Sequence, residues 1–299
     1  LFFYTHTPPS PILSGLVGSE MCIRDSLITG ATSGIGEATA IDLAKKGANI
    51  FFIARNNLKA QNLSDKIEFI SGKRPKFFIA DLASLKNIKE SALEFISLDI
   101  PLHVLLNNAG LINNNRKETV DGFEEVFSIN HLAYFYLTHL LLEKLKEGTP
   151  SRIINVSSGA HAFVKGFNFD DVNSLKEYKP FKVYGYSKLA NILFTKKLSQ
   201  VLENENIIVN CLHPGVVGTG FGQNNGIFSK ILFNLSKPFM RSSEKGAETS
   251  IYLCSSPDVS DVSGQYFYNC KIAKTTSWAN NQEDADRLWD LSKELTGII

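Results

Sequence analysis

The 299-residue chain has no run of about 18 consecutive apolar residues, so no transmembrane helix is predicted from it. It has almost no net charge, a formal +1, and its basic residues are dispersed. That leaves no electrostatic footprint for nucleic acid, and none is expected as a partner. Cysteine is scarce. Cys22, Cys211, Cys254 and Cys270 are far apart, with no CxxC and no Cys/His spacing. Reduced thiols in a cytoplasmic setting are expected, with no metal site. The apolar start at Leu1–Phe3 is broken by Pro8, Pro9 and Pro11, which does not fit a secretory leader. Repeats, low-complexity tracts and linkers are also lacking. What remains is a 43% hydrophobic chain long enough for one large α/β domain.

One stretch fits poorly. Leu27 opens a buried-strand pattern, yet Arg24, Asp25 and Ser26 stand before it, where a central parallel strand favours apolar residues. Residues 16–26, LVGSEMCIRDS, back-translate into a string that resembles a transposase sequencing adapter, a reagent DNA. Residues 1–26 are therefore expected to be a non-native prefix, and residues 27–299 the domain. Membrane association is left undetermined by such a prefix.

From Leu27 onward, apolar runs alternate with helical stretches. Strands are expected at "LIT", 49–54, 76–80, 103–107, 152–157, 207–212 and 264–268, with helices over 57–70, 84–97, 121–146 and 183–204. A first helix starts within "GATSGIGEATAIDLAKK" and stops at Gly47. This alternation predicts an α/β fold of Rossmann type, a doubly wound parallel sheet in a single domain.

Gly30-x-x-x-Gly34-x-Gly36 lies between the first strand and the first helix. Glycine spacing alone is a weak motif. Its position is what makes it specific: a tight turn there aims unsatisfied helix N–H groups at a pyrophosphate. Where a carboxylate would bind a ribose 2′-hydroxyl, the second strand ends Ile53-Ala54-Arg55. A guanidinium suits a 2′-phosphate, so NADP(H) is favoured over NAD(H).

Tyr184 and Lys188 are one helical turn apart. With 9 Tyr in the chain, about 0.7 Y-x-x-x-K pairs arise by chance, so the spacing alone carries nothing. A second pair, Tyr178 and Lys182, contains Pro180, which a helix interior does not tolerate. Leu189, Ile192, Leu193 and Lys196 continue a helical pattern after the first pair, and Tyr184 is the candidate. A phenol has a pKa of ~10, too high for easy proton exchange at neutral pH. A lysine cation together with an oxidised nicotinamide would lower it and make the phenol a general acid or base.

Taken in order, Thr29-Gly30-x-x-x-Gly34-x-Gly36, Asp81-Leu82, Asn107-Asn108-Ala109-Gly110, Asn130, Ser157-Ser158, Tyr184-x-x-x-Lys188 and Pro214-Gly215-x-x-x-Thr219 resemble the short-chain dehydrogenase/reductase family. The resemblance covers nearly all of the chain after residue 26 and implies a catalytic set of Asn130, Ser158, Tyr184 and Lys188. Ser158 would bind the substrate carbonyl oxygen. Asn130 would hold a water relaying protons to Lys188, and Lys188 would also grip the nicotinamide ribose. The cofactor would be held by Gly30, Ser33, Gly34, Ile35 and Gly36, with Arg55 at its phosphate end. Asp81 would meet the adenine beside Leu82, and Asn108, Ala109 and Gly110 would line the adenosine side. Pro214, Gly215, Val217 and Thr219 would fix the carboxamide. Two or four subunits pairing through the long helices are also implied.

One departure narrows the substrate. Ser158 precedes Tyr184 by 26 residues, about twice the family's usual gap. The inserted "AHAFVKGFNFDDVNSLKEYKPF" is similar to that of retinol dehydrogenase-like members, as are "YSKLANILFT", "HPGVVGT" and "EKGAETSIYLCSSPDVSDVSGQYF". These members interconvert lipophilic alcohols with aldehydes or ketones, generally with NADP(H). Residues 221–240 agree in part, since Phe228, Ile231, Leu232 and Leu235 share one helical face. That stripe suits a greasy substrate, and equally a contact with the core or with a partner subunit. Two alternatives stand beside the dehydrogenase. A light-driven tetrapyrrole reductase shares the framework, although no cysteine lies between Ser158 and Lys188. A non-catalytic cofactor sensor would be expected to have lost Tyr184, Lys188 or Ser158.

Overall fold

The structure, a computed structural model, describes residues 24–216 and 241–298. Its strands are β1 (Asp25–Thr29), β2 (Asn49–Ala54), β3 (Lys76–Ile79), β4 (Val104–Asn107), β5 (Ser151–Val156), β6 (Ile207–His213), β7 (Tyr266–Tyr268) and β8 (Lys271–Ile272). The helices that bear on the site are α1 (Gly34–Lys45), α2 (Asn57–Ser71), α3 (Leu85–Ile96), α4 (Glu125–Phe127), α5 (Ala133–Leu140), α6 (Leu142–Glu147), α7 (Pro180–Val201), α8 (Ser243–Ser255) and α9 (Gln282–Thr296).

The strands form one sheet in the order β3-β2-β1-β4-β5-β6-β7-β8, parallel throughout except for β8. Alternate side chains of each strand feed opposite faces. Leu27, Ile53, Phe78, Leu105, Ile153 and Val209 pack with Phe95 of α3, Phe135 of α5 and Phe194 of α7. Ile28, Phe52, Leu106, Ile154 and Leu212 pack with Leu43 of α1, Leu63 of α2 and Leu253 of α8. Helices therefore cover both faces, the doubly wound arrangement that the alternation predicts. The strand order reverses between β1 and β4, and in open α/β sheets the crevice at the carboxyl ends of such a switch point is where ligands bind.

Several boundaries differ from expectation. Asp25 and Ser26 belong to β1 despite their polarity. At the amino edge of the sheet they find partners: Asp25 Oδ1 accepts from Asn49 Nδ2 at 2.9 Å, and the Asp25 N–H donates to His103 Nδ1 at 3.2 Å. The helix expected over 121–146 is not continuous. It begins at α4, where the buried Glu124 carboxylate accepts from the N–H groups of Val126 and Phe127. A π-helical turn follows over Ser128–Leu132 before α5, and a break at Leu141 precedes α6. α7 starts at Pro180, three residues before the expected start, because proline at the first helical position loses no hydrogen bond. Tyr178 consequently lies outside the helix.

The sequence pattern passed over α8, α9 and β8. α8 and α9 carry ordinary signals: Ser242 caps the first through its side chain, and Asn281 caps the second, which stops at Gly297 with φ +68°. β8 pairs with β7 across Asn269 and Cys270, both at positive φ, a tight hairpin without the usual glycine.

Candidate active site

The first carboxyl-edge feature is a backbone cradle. Gly30 and Gly34 have φ of +67° and +60°, a region L side chains rarely enter. A Cβ on Gly30 would sit 2.8 Å from the Ala109 Cα, and one on Gly36 would collide with the Gly30 carbonyl. Thr29, at the end of β1, accepts through its hydroxyl from the N–H groups of Asn108 and Ala109 at 2.9 and 3.0 Å. Asn108 Nδ2 donates to the Thr29 carbonyl at 2.9 Å and the Gly30 carbonyl at 3.2 Å. These bonds lock the turn after β1 to the turn after β4. Ser33 makes no capping bond, so the first-turn N–H groups of α1 lack a side-chain partner, whereas Asn56 and Ser84 cap α2 and α3. Uncapped donors at the positive end of a helix dipole, reached over glycine, fit a pyrophosphate.

The other cofactor positions fall around the same edge. Arg55 follows β2 and is exposed, Asp81 lies exposed beyond β3 with Oδ1 accepting from the Ala83 N–H at 3.1 Å, and Leu82 is buried beside it. Ser33 is exposed, and Ile35 is half-buried. Pro214 and Gly215 follow β6, whereas Val217, Thr219 and the apolar stretch 221–240 lie outside the described residues.

The catalytic candidates converge beneath the crevice. α7 runs back from the carboxyl edge, so its first turns carry Tyr184 and Lys188 alongside the end of β5. Lys188 is 2% exposed, and its Nζ donates to the Val156 carbonyl at 3.0 Å. The same ammonium lies 5.6 Å from the Tyr184 ring centre and 5.8 Å from that of Tyr134. Tyr184 hydrogen-bonds the Ser158 side chain. Ser158 Oγ also accepts from the Ala160 N–H at 3.2 Å, at the head of a 3₁₀ turn over Gly159–Phe163.

Asn130 sits in the π-turn with no exposed surface. Its Oδ1 accepts from the Leu111 N–H at 2.8 Å, and its Nδ2 donates to the Leu111 carbonyl and Ser187 Oγ, each at 3.0 Å. Both amide protons are engaged, which leaves an Oδ1 lone pair. A Cβ on Gly110 would lie 3.2 Å from that Oδ1 and 3.4 Å from Lys188 Nζ. The glycine thus keeps open the ground between Asn130 and Lys188, where a water would be held.

The expected lowering of the Tyr184 phenol invoked the lysine and an oxidised nicotinamide together; the protein's own groups alone act the other way. In the protein's own field Tyr184 does not move down. Burial pushes its phenol up to about 12 against a smaller opposing effect of the Ser158 bond, and burial pushes Lys188 down to about 7. Desolvation disfavours each charged form, and a half-charged lysine is a weak counterweight. A downward pull on the phenol would have to come from the positive ring of an oxidised nicotinamide.

Two supporting residues escaped the sequence motifs. Tyr134 is buried, and its hydroxyl donates to the Ala109 carbonyl at 2.7 Å, tying α5 to the cofactor turn. Its position four residues after Asn130 was the available signal. Asn191 Nδ2 shares the Val156 carbonyl with Lys188, at 3.2 Å; three residues beyond Lys188, nothing in the motif marks it.

Among the described residues, no three His, Cys, Asp or Glu side chains gather as a metal-binding set, and no helix is long and apolar enough to cross a membrane.

Comparison with known proteins agrees with this geometry. The family profile described as short chain dehydrogenase matches residues 25–227. Retinol dehydrogenase 14 of Homo sapiens is 41% identical over 290 residues, covering 91% of this chain and 86% of its own. Retinol dehydrogenase 12 of Mus musculus is 39% identical over 274 residues with the same coverage. A crystal structure of an uncharacterised protein from Mycobacterium paratuberculosis superimposes with a TM-score of 0.73 at 28% identity, covering 92% of this chain and 93% of that one. The glycine cradle, the Tyr184–Lys188 pair and these likenesses agree: the chain belongs to the short-chain dehydrogenase family, is retinol dehydrogenase-like, and is an NAD(P)-dependent oxidoreductase acting on CH–OH groups.

Proposed function

We propose that the protein interconverts a lipophilic alcohol and its aldehyde or ketone, with NADP(H) as the cofactor. The observation that carries the reading is the convergence of Tyr184, Ser158 and Lys188 beside the glycine cradle at one sheet edge. The bound nicotinamide supplies or accepts the hydride. Ser158 Oγ holds the substrate oxygen, and Tyr184 donates or accepts its proton. Lys188 binds the nicotinamide ribose and, through the space beside Gly110 and Asn130, renews that proton. Gly30 to Gly36 would seat the pyrophosphate, Asp81 would meet the adenine, and Pro214 and Gly215 would stand on the carboxamide side. The lipophilic substrate is supported by the names of the relatives, retinol dehydrogenases at 39–41% identity.

The NADP(H) preference is supported by Arg55, exposed at the end of β2 where a carboxylate would otherwise stand. Arg55→Ala should weaken NADPH binding about 10- to 100-fold, the value of one charged hydrogen-bonding group, and leave NADH unchanged. Titration of both cofactors by fluorescence checks this. Equal losses for both would remove Arg55 from the 2′-phosphate. Turnover of aldehydes with NADPH tests the wider reading, and cofactor binding without turnover of any aldehyde or ketone overturns it.

A further inference from the structure

Two aromatic side chains stand unburied just outside the reacting groups. Phe163 is 67% exposed and Phe181 is 70% exposed, whereas most large apolar residues among those described are packed. Phe181 lies on α7 one turn before Tyr184, so the two share a face, with Phe181 nearer the carboxyl edge. Phe163 ends the 3₁₀ turn that Ser158 caps. These two elements are pressed together at Gly185. A Cβ on Gly185 would lie 2.9 Å from the Ala160 carbonyl and 3.1 Å from Val164 Cγ1. Phe181 is one turn before Gly185, and Phe163 adjoins Val164, so both residues stand beside this contact, on the two elements that carry Tyr184 and Ser158. Val216, 66% exposed two residues past Pro214, adds a third apolar group at the same edge.

We propose that Phe163 and Phe181 form the outer grip for the hydrocarbon tail of the substrate and set the enzyme's preference for chain length. The proposal rests on the lipophilic-carbonyl reading and deepens it. A carbonyl carbon held at Ser158 and Tyr184 sends its substituent outward along this contact, since the buried side is closed by Lys188 and the core. A short aldehyde ends before the rings, whereas a long one lies against both and takes apolar surface out of water. Neither ring contributes to the core, so polar replacements leave the fold intact.

The test compares kcat/KM for linear aldehydes from butanal to decanal, and for retinal, with NADPH. It uses the full chain, Phe163→Ser, Phe181→Ser and the double variant, and NADPH affinity is measured for each. The unsubstituted enzyme should gain steeply with chain length. The double variant should lose about tenfold on decanal and retinal and no more than about twofold on butanal, through KM, with NADPH affinity unchanged; Phe181→Leu should retain most of the gain. A gain as steep in the double variant as in the unsubstituted enzyme overturns the grip and leaves the lipophilic reading standing. No gain in the unsubstituted enzyme overturns that reading, and the grip with it. Loss of binding to phosphatidylcholine vesicles with an unchanged length dependence would assign the rings to a lipid surface and also overturn the grip.

Discussion

Tyr184→Phe should lower kcat about 10³-fold with any aldehyde while NADPH affinity stays within about twofold, because the change removes a proton and little else. The ring remains, and with it the contact to Lys188 Nζ 5.6 Å from its centre. What disappears is the hydroxyl bonded to Ser158. Stopped-flow measurement of NADPH oxidation separates binding from chemistry. A loss expressed only in KM would mean that the phenol merely positions the substrate. The pH dependence carries a second signature. With the phenol pushed up to about 12 in the protein's own field, it is protonated throughout the neutral range and is set up as an acid for carbonyl reduction. Alcohol oxidation needs the phenolate, so its rate should rise with pH to a plateau, and the midpoint should fall below the cofactor-free value of about 12 because the oxidised nicotinamide adds a positive charge beside the phenol.

Lys188→Met is expected to abolish activity and yet stabilise the cofactor-free protein. The Lys188 amine is 2% exposed and burial holds it down to about 7, whereas in the unfolded chain it titrates near 10.4. The folded value lies below the unfolded one, so between these two pH values the unfolded state binds more protons. Stability therefore rises with pH across that window. The destabilisation is fully present below about pH 7 and gone above about 10.4. Converted at 1.36 kcal/mol per unit, and reduced for the Val156 hydrogen bond and the two facing rings, it amounts to about 3 kcal/mol. Methionine fills similar space without a charge, and the Val156 carbonyl keeps its bond from Asn191. Urea unfolding should place the variant about 3 kcal/mol above the unsubstituted protein at pH 6, with the gap closing towards pH 10. A gap of constant size, or of the opposite sign, would show that the amine is not strained by burial. Such a residue is retained for what it does rather than for what it holds together.

The parts of this protein legible in its sequence are those whose cause is local. A glycine turn between a strand and a helix announces itself in a few residues, because glycine takes φ of +67° and +60°, as at Gly30 and Gly34, without the steric cost other residues incur. Buried parallel strands read as apolar runs, and a helical turn puts Tyr184 and Lys188 on one face by spacing alone. The doubly wound order followed from that alternation. Tertiary structure decided the rest. Whether Asp25 and Ser26 extend β1 depended on Asn49 and His103, residues far along the chain. The π-turn that points Asn130 at Leu111 and Ser187 depends on where Glu124 stops the preceding loop. Tyr134 gained its role from meeting Ala109 across the crevice, with no motif to mark it. Most of all, spacing places Lys188 beside Tyr184 but carries no measure of desolvation. Burial supplies that, and it moves both groups away from charge, so the pair becomes an acid–base device when the cofactor's own charge is added.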